Sequence, residues 1–470
     1  MDLLLDLDLD LAAAPAGGRR RAIEAALRAA IGARRLPSGA RLPSTRTLAA
    51  DLGVARGTVV DAYDQLVAEG WLAARRGGRT VVVATPPLSS PSSPPAAGPA
   101  APPPRIAGPG PLDLRAGAPD LSAFPTAAWV ASVRSVLTRG PADALDYAPP
   151  RGRPELRSAL AAYLARARGV AAAPDRVVVC AGIDHGLELV ARALVATGRH
   201  RVAMEDPCLP FHRTLVAGAG AEVVPARVDG EGLDVDSLAA PTVVATPARQ
   251  CMLGMALAPP RRSALVAWAR RTDAVVVEDD YDGELRYDRQ PIGAVQALDA
   301  DRVLYAGTLS KSLAPGLRLG WLVVPAPLAP ALDAHLGPHS PVSSLDQLVV
   351  ADLLSTGAYD RHLRRARTAY RRRRDDFVSL LATRAPEARV EGVAAGLHAL
   401  VRWPEAGPTE GDLVAEAIRR GIALTPLGPH WHATPGGEGV VVGYGRPPAH
   451  DLQRRYEAFA GLMADALSRL

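Results

Sequence analysis

A single lysine stands among 53 arginines in this 470-residue chain, and there is no asparagine. A composition that uses arginine wherever a positive charge suffices marks Lys311 as a position where arginine would fail. A guanidinium stays protonated at any accessible pH, whereas an ε-amine can lose its proton, attack a carbonyl and form an imine. Thr308 and Ser310 lie three and one residues before this lysine, and Arg318 lies seven after it. Two hydroxyls and a fork-shaped cation suit one phosphate group, leaving the amine to meet an aldehyde on the same ligand. Upstream, the apolar run Ala274–Glu278 leads into Asp279-Asp280-Tyr281. A carboxylate at the C-terminal end of a strand lies where open α/β sheets bind ligands. There it can keep a pyridine nitrogen protonated while Tyr281 hydrogen-bonds a ring hydroxyl. Asp280 and Asp282 read as solvated loop acids. The three cysteines, Cys180, Cys208 and Cys251, lack metal-ligand spacing, so no metal is expected and a reducing cytoplasm fits best.

A second chemistry belongs to the N-terminal part. Residues 19–83 carry twelve arginines against five acids, a balance of +7 inside a chain whose total is +5. The remainder is therefore slightly acidic, and a polyanion is expected to meet the N-terminal segment alone. Ala22 to Ile31 reads as a helix, and a second runs from Ser44 to Gly53 with Ser44 as its cap. Arg56 to Glu69 reads as a third, stopped by Gly70. Trp71-Leu72 and Thr80–Val83 then flank a basic turn as a hairpin. This is the order of a winged helix-turn-helix, whose second motif helix lies in the major groove of double-stranded DNA with its N-terminal residues at base edges. Those residues are Arg56, Gly57 and Thr58, flanked by Arg46 on the preceding helix and Arg76 on the wing.

The elements holding the lysine follow a Pro/Ala-rich linker at 85–110. The expected layout is a tail at 1–20, a DNA-binding domain at 21–84, and a body at 111–470. The body divides into a large subdomain at about 140–340 and a small one at about 341–470. Short apolar runs at 176–181, 201–205, 242–245, 274–278, 302–306 and 321–324 alternate with helical patterns. They imply a mainly parallel sheet covered on both faces. No run approaches the roughly 18–20 apolar residues of a membrane span. The Leu/Asp alternation of Met1–Asp10 lacks the basic start of a secretory leader.

Two stretches closely match known patterns. Leu42-Pro43-Ser44, Arg46, Leu48-Ala49, Leu52-Gly53-Val54, Arg56, Thr58-Val59, Tyr63 and Glu69-Gly70 resemble the GntR-type winged helix-turn-helix. EDDYDGELRY at 278–287 and GTLSKSLAPGLRLGW at 307–321 resemble the MocR/GabR-type regulators, which join that domain to a fold-type I aminotransferase-like body. The resemblance implies pyridoxal 5'-phosphate held as a Schiff base on Lys311, with Asp279 at the ring nitrogen and Tyr281 at the ring oxygen. Thr308, Ser310, Arg318 and the amides of Gly182 and Ile183 would take the phosphate. Tyr147 would reach the phosphate of a neighbouring subunit, which implies a homodimer.

Several positions depart from the family. Leu209 replaces a ring-stacking aromatic, with Phe211 as the possible substitute. Val441 stands where an arginine usually takes a substrate carboxylate, with Arg446 and Arg249 as candidates to compensate. Asp184, at the phosphate helix, repels an anion unless it points away. The expected function is a cytoplasmic DNA-binding transcription regulator that senses an amine, or the cofactor itself, through its aminotransferase-like domain. The alternatives are a working aminotransferase with an accessory DNA-binding domain, and a body that serves dimerisation without cofactor. The arginine-rich helix at 362–376 reads as a solvated or interface helix.

Overall fold

The computed structural model describes residues 18–32, 35–75, 79–83, 112–140, 142–287, 292–433 and 436–468. Arg76, the linker at 85–110 and residues 1–17 of the expected tail lie outside them.

The N-terminal unit consists of α1 (Arg19–Gly32), α2 (Thr45–Asp51), α3 (Arg56–Glu69), β1 (Leu72–Arg75) and β2 (Arg79–Val82). Ser44 caps α2, its hydroxyl accepting from Thr47 N at 3.1 Å, which satisfies one of the free amides of a helix start. The chain reverses between α2 and α3 at Gly53, where φ is +62°, and α3 stops at Gly70, where φ is +86°. Glycine takes both without strain. Ile23, Leu27, Leu48, Val59, Ala62 and Leu66 are wholly buried between the helices. At about 25 cal/mol per Å² of apolar surface, each leucine contributes roughly 1.5–3 kcal/mol. β1 and β2 pair antiparallel as the wing, Leu72 against Val82.

In the body, β3 (Leu112–Asp113) is followed by α4 (Thr126–Arg139), α5 (Pro154–Arg168), β4 (Val177–Cys180) and α6 (Gly182–Ala196). Next come β5 (Arg201–Asp206), α7 (Pro210–Gly218), β6 (Glu222–Asp229), β7 (Gly232–Leu233) and β8 (Thr242–Ala245). Then follow α8 (Pro259–Thr272), β9 (Val275–Asp280), β10 (Val303–Thr308), β11 (Gly320–Val323) and α9 (Ala329–Asp333). The chain closes with α10 (Ser344–Ser355), α11 (Ala358–Arg384), β12 (Arg389–Glu391), β13 (His398–Arg402), α12 (Glu410–Arg419), β14 (Ile422–Ala423), β15 (Thr425–Pro426), β16 (Val440–Gly443) and α13 (Leu452–Leu467).

One eight-stranded sheet runs β4-β11-β10-β9-β8-β5-β6-β7. All six apolar runs expected from the sequence are strands in it, and β10, β9, β8, β5 and β6 are mutually parallel. The run at 321–324 departs from expectation: β11 is antiparallel to both β10 and β4, because the chain returns directly from the lysine loop instead of crossing over through a helix. A smaller antiparallel sheet, β12-β13-β16-β15, packs with α11 to α13, and β3 pairs with β14.

The N-terminal unit lies against the body of its own chain. Arg262 of α8, wholly buried, donates to the Glu69 carbonyl at 3.2 Å, and Ser263 donates to the Gly70 carbonyl at 3.1 Å. A cation and a hydroxyl therefore satisfy carbonyls at the C-terminal end of α3, where the helix dipole favours them. The helix at 362–376 is part of α11. Its Arg364, Arg365, Arg371 and Arg372 are exposed, but Arg373 is buried against Asp120 and the carbonyls of Gly445 and Pro447.

Candidate cofactor site

The site forms at the C-terminal ends of adjacent parallel strands. In the register of β9 with β10, Ala306 lies opposite Asp279 and Gly307 opposite Asp280. Successive strand side chains point to opposite faces, so the two neighbouring acids have opposite fates. Asp279 faces a cavity of about 500 Å³ that is also lined by Lys311, Tyr281, Thr308, Ser310 and Arg318. Asp280 turns to the other face, where it accepts from Arg168 Nε and from the Tyr305 hydroxyl, both at 2.7 Å. Glu278, on that face too, accepts from the amides of Val295 and Gln296 at 2.9 Å. Asp282 is buried and accepts from Arg249 Nη1 at 3.0 Å. Asp280 and Asp282 are thus buried ion-pair partners, not solvated loop acids.

Inside the cavity, Lys311 Nζ donates to the Gly117 carbonyl at 2.5 Å. Burial lowers its pKa from the ordinary lysine value, with Asp282 and Asp279 opposing that shift. Burial pushes Asp279 up to about 6. Its Oδ1 is buried with no hydrogen-bond partner among the described residues. A buried, unpaired acceptor at a strand end is the environment that a protonated ring nitrogen would complete. The Tyr281 hydroxyl accepts from Arg249 Nη1 at 3.0 Å, and burial raises its pKa well above 10.

Thr308 and Ser310 hydroxyls lie 2.9 Å apart at the mouth of the loop before Lys311. Gly182, at φ +82°, opens α6 toward the Arg318 guanidinium, and a Cβ there would lie 3.5 Å from its carbon. Ile183 lines the same cavity. A helix N-terminus, two hydroxyls and an arginine converge as an anion cradle beside an amine of lowered pKa. These residues fit pyridoxal phosphate.

Tyr147 does not join them. It is 75% exposed, stacks on His339 with ring centroids 4.3 Å apart, and lies outside the cavity lining. Phe211 is 49% exposed and does not line the cavity, so it is no substitute ring; Leu209 lines that wall. Val441 is fully buried in β16 between Leu400 and Thr425, part of an apolar core. Arg249 is committed to Asp282, Tyr281 and the His398 carbonyl. Arg446 does line the cavity, as does Arg115, and both lie on the carboxylate of Asp113, at 3.6 and 2.9 Å. His212, His398 and His430 also line the cavity, and none of them belongs to the stretches at 278–287 and 307–321. His212 carried no local signal, since its role depends on α7 packing beside α6.

On the DNA-binding unit, Arg46, Arg56 and Gly57 are exposed and Thr58 is half-buried at the start of α3. Arg56 Nε sits 3.5 Å from Thr45 Oγ1, which loosely ties the two motif helices at their outer face. Among the described residues, no helix is long and apolar enough to cross a membrane.

Residues 19–82 match the model for bacterial regulatory proteins of the gntR family, and residues 110–432 match that for aminotransferase class I and II. The chain is 33% identical to the HTH-type pyridoxine biosynthesis transcriptional regulator PdxR of Corynebacterium glutamicum, over 88% of this chain and 89% of that one. It is 34% identical to the probable rhizopine catabolism regulatory protein MocR of Rhizobium meliloti, over 94% and 92%. In fold, the body is similar to an archaeal alanine:glyoxylate aminotransferase, with a TM-score of 0.69 and 24% identity over 75% of this chain and 91% of that one.

Proposed function

Since the chain belongs to the MocR-type HTH transcriptional regulators, with a GntR-family DNA-binding domain ahead of a class I and II aminotransferase domain, we propose that it regulates transcription through pyridoxal phosphate held in the body. The observation that carries this reading is the meeting of Lys311, the unpartnered Asp279 carboxylate and the Thr308–Ser310–Arg318 cradle in one cavity. When bound, the cofactor supplies an aldehyde for primary amines and an electron-withdrawing ring. The chain's own residues do the rest. Lys311 presents an amine whose proton is lost more readily than that of an exposed lysine, Asp279 offers a negative charge to the ring nitrogen, and Tyr281 offers its hydroxyl to the ring oxygen. Thr308, Ser310, Arg318 and the amides of Gly182 and Ile183 hold the phosphate. Tyr147, exposed and outside its own cavity, serves the neighbouring subunit of a homodimer. The three buried free thiols suit a reducing cytoplasm.

Arg56, Gly57 and Thr58 read base edges, and Arg46 holds the backbone. Arg56→Ala is expected to weaken operator binding about tenfold to a hundredfold and to relax sequence choice at one position. Arg46→Ala should weaken binding to all sequences alike and reduce the salt slope by about one. Operator fragments recovered by genomic footprinting, with and without pyridoxal phosphate, provide the DNA. Arg56→Ala binding as tightly as wild type would refute the assignment.

The ligand is an amine without an α-carboxylate, or the cofactor itself. At the position where an arginine would take a carboxylate, Val441 is sealed into the core, and Arg115 and Arg446 already share Asp113. Millimolar common α-amino acids should leave the visible absorbance of the cofactor-loaded protein unchanged, while simple primary amines shift it. Rapid spectral change at micromolar amino acid would overturn this.

A further inference from the structure

The phosphate cradle contains a negative charge of its own. Asp184 is the third residue of α6 and lines the same cavity as Lys311. Its Oδ2 lies 3.2 Å from Arg318 Nη1 and its Oδ1 lies 3.3 Å from His212 Nε2. It therefore does not point away from the anion site; it sits in it, paired with the arginine that the phosphate needs. The hydrogen bond from His212, reinforced by Arg318, holds its carboxyl below the usual range, so it is charged at neutral pH. Its side chain is 30% exposed, so a rotation about χ1 can carry the carboxylate toward solvent while α6 stays in place.

We propose that Asp184 is an internal competitor for the phosphate cradle, so that a phosphorylated cofactor binds by displacing one carboxylate from Arg318. The inference rests on the cofactor reading above and deepens it. Like charges crowded around one guanidinium disfavour each other, so the resident carboxylate weakens binding of a phosphate dianion. It leaves the aldehyde and ring contacts untouched. The affinity of the loaded state is thereby set low enough for occupancy to follow the amount of free cofactor, which is what a sensor of that cofactor requires and an enzyme that retains it does not. Asp184 is a specificity-determining residue whose sign is unfavourable by construction.

The test compares the full-length wild type with Asp184→Asn, which keeps the shape and removes the charge, and with Asp184→Ala, which removes both. Each is titrated with pyridoxal phosphate and, separately, with pyridoxal, following the absorbance of lysine-bound aldehyde and the quenching of tryptophan fluorescence. Both variants should bind pyridoxal phosphate at least tenfold more tightly than wild type, while pyridoxal affinity stays within twofold. Weaker binding of pyridoxal phosphate would mean that Asp184 orients Arg318 for the ligand, and would overturn the proposal. Equal tightening for both ligands would place the effect on the ring and overturn it as well. If neither ligand binds any of the three proteins, the cofactor reading itself fails and this one falls with it. Wild type binding pyridoxal phosphate as tightly as the variants would leave the cofactor reading intact and remove only the competitor.

Discussion

Lys311→Arg should give a protein that folds and binds DNA yet carries no cofactor after borohydride treatment, whereas in wild type the reagent fixes the cofactor on the peptide containing residue 311. The expected loss is complete, because arginine keeps its proton in the same cavity. Lys311→Ala should behave identically, which guards against arginine failing through its size. The pH dependence follows from two shifts of opposite kind. Burial lowers the Lys311 value, so its amine is neutral for a larger fraction of molecules at pH 7.5 than an exposed lysine would be. Asp279, pushed up to about 6, is still ionised at that pH. Acidification to pH 5.5 protonates most of the Asp279 carboxylate, removing the charge offered to the ring nitrogen, and further depletes the neutral Lys311 amine. Cofactor capture should therefore fall steeply between pH 7.5 and 5.5. Capture that increased on acidification, or cofactor fixed on a different peptide, would contradict the site as described.

Asp280→Ala should destabilise the body by about 3–5 kcal/mol, measured by urea unfolding. Arg168 is only 1% exposed, and it also donates to the Ile292 carbonyl at 2.6 Å. Removal of Asp280 strands that guanidinium inside the body without its direct ion-pair partner, and the Tyr305 hydroxyl loses its acceptor. The paired change Asp280→Leu with Arg168→Met should recover most of the loss, since the charge disappears with its partner. Asp279→Asn gives the contrast. Its folded pKa is raised above the unfolded value near 3.8, so its contribution to stability is fully present below pH 3.8 and is lost as pH rises through about 6. Above pH 6 the ionised carboxylate burdens the cofactor-free fold, and Asp279→Asn should be no less stable than wild type there. An Asp280→Ala protein within 1 kcal/mol of wild type would refute the division of labour between these neighbouring acids.

That division could not be read from the sequence. Asp279, Asp280 and Asp282 form one acidic cluster in the chain, and Arg168, which claims Asp280, lies 112 residues away. Only the strand alternation of β9 and the packing of α5 separate their roles. The lysine loop was readable because Thr308, Ser310, Lys311 and Arg318 are local to one turn and need no distant partner to declare their chemistry. The helices of the DNA-binding unit were readable for the same reason: Ser44, Gly53 and Gly70 mark their ends by backbone conformation alone. The antiparallel course of β11, the exposure of Phe211 and the direction of Asp184 depend on what packs beside them. A run of apolar residues carries no information on that.

The anchoring of α3 has a mechanical consequence. The helix has 14 residues and is therefore about 21 Å long, fixed at its C-terminal end by Arg262 and Ser263 of the body and bearing Arg56 at the other. It behaves as a lever arm whose fulcrum belongs to the aminotransferase-like body. A tilt of only ~10° at that fulcrum sweeps the reading end through roughly 4 Å, more than the tolerance of a hydrogen bond to a base edge. A rearrangement too small to notice around the body can thus carry Arg56 in or out of reach of the base edges it would read.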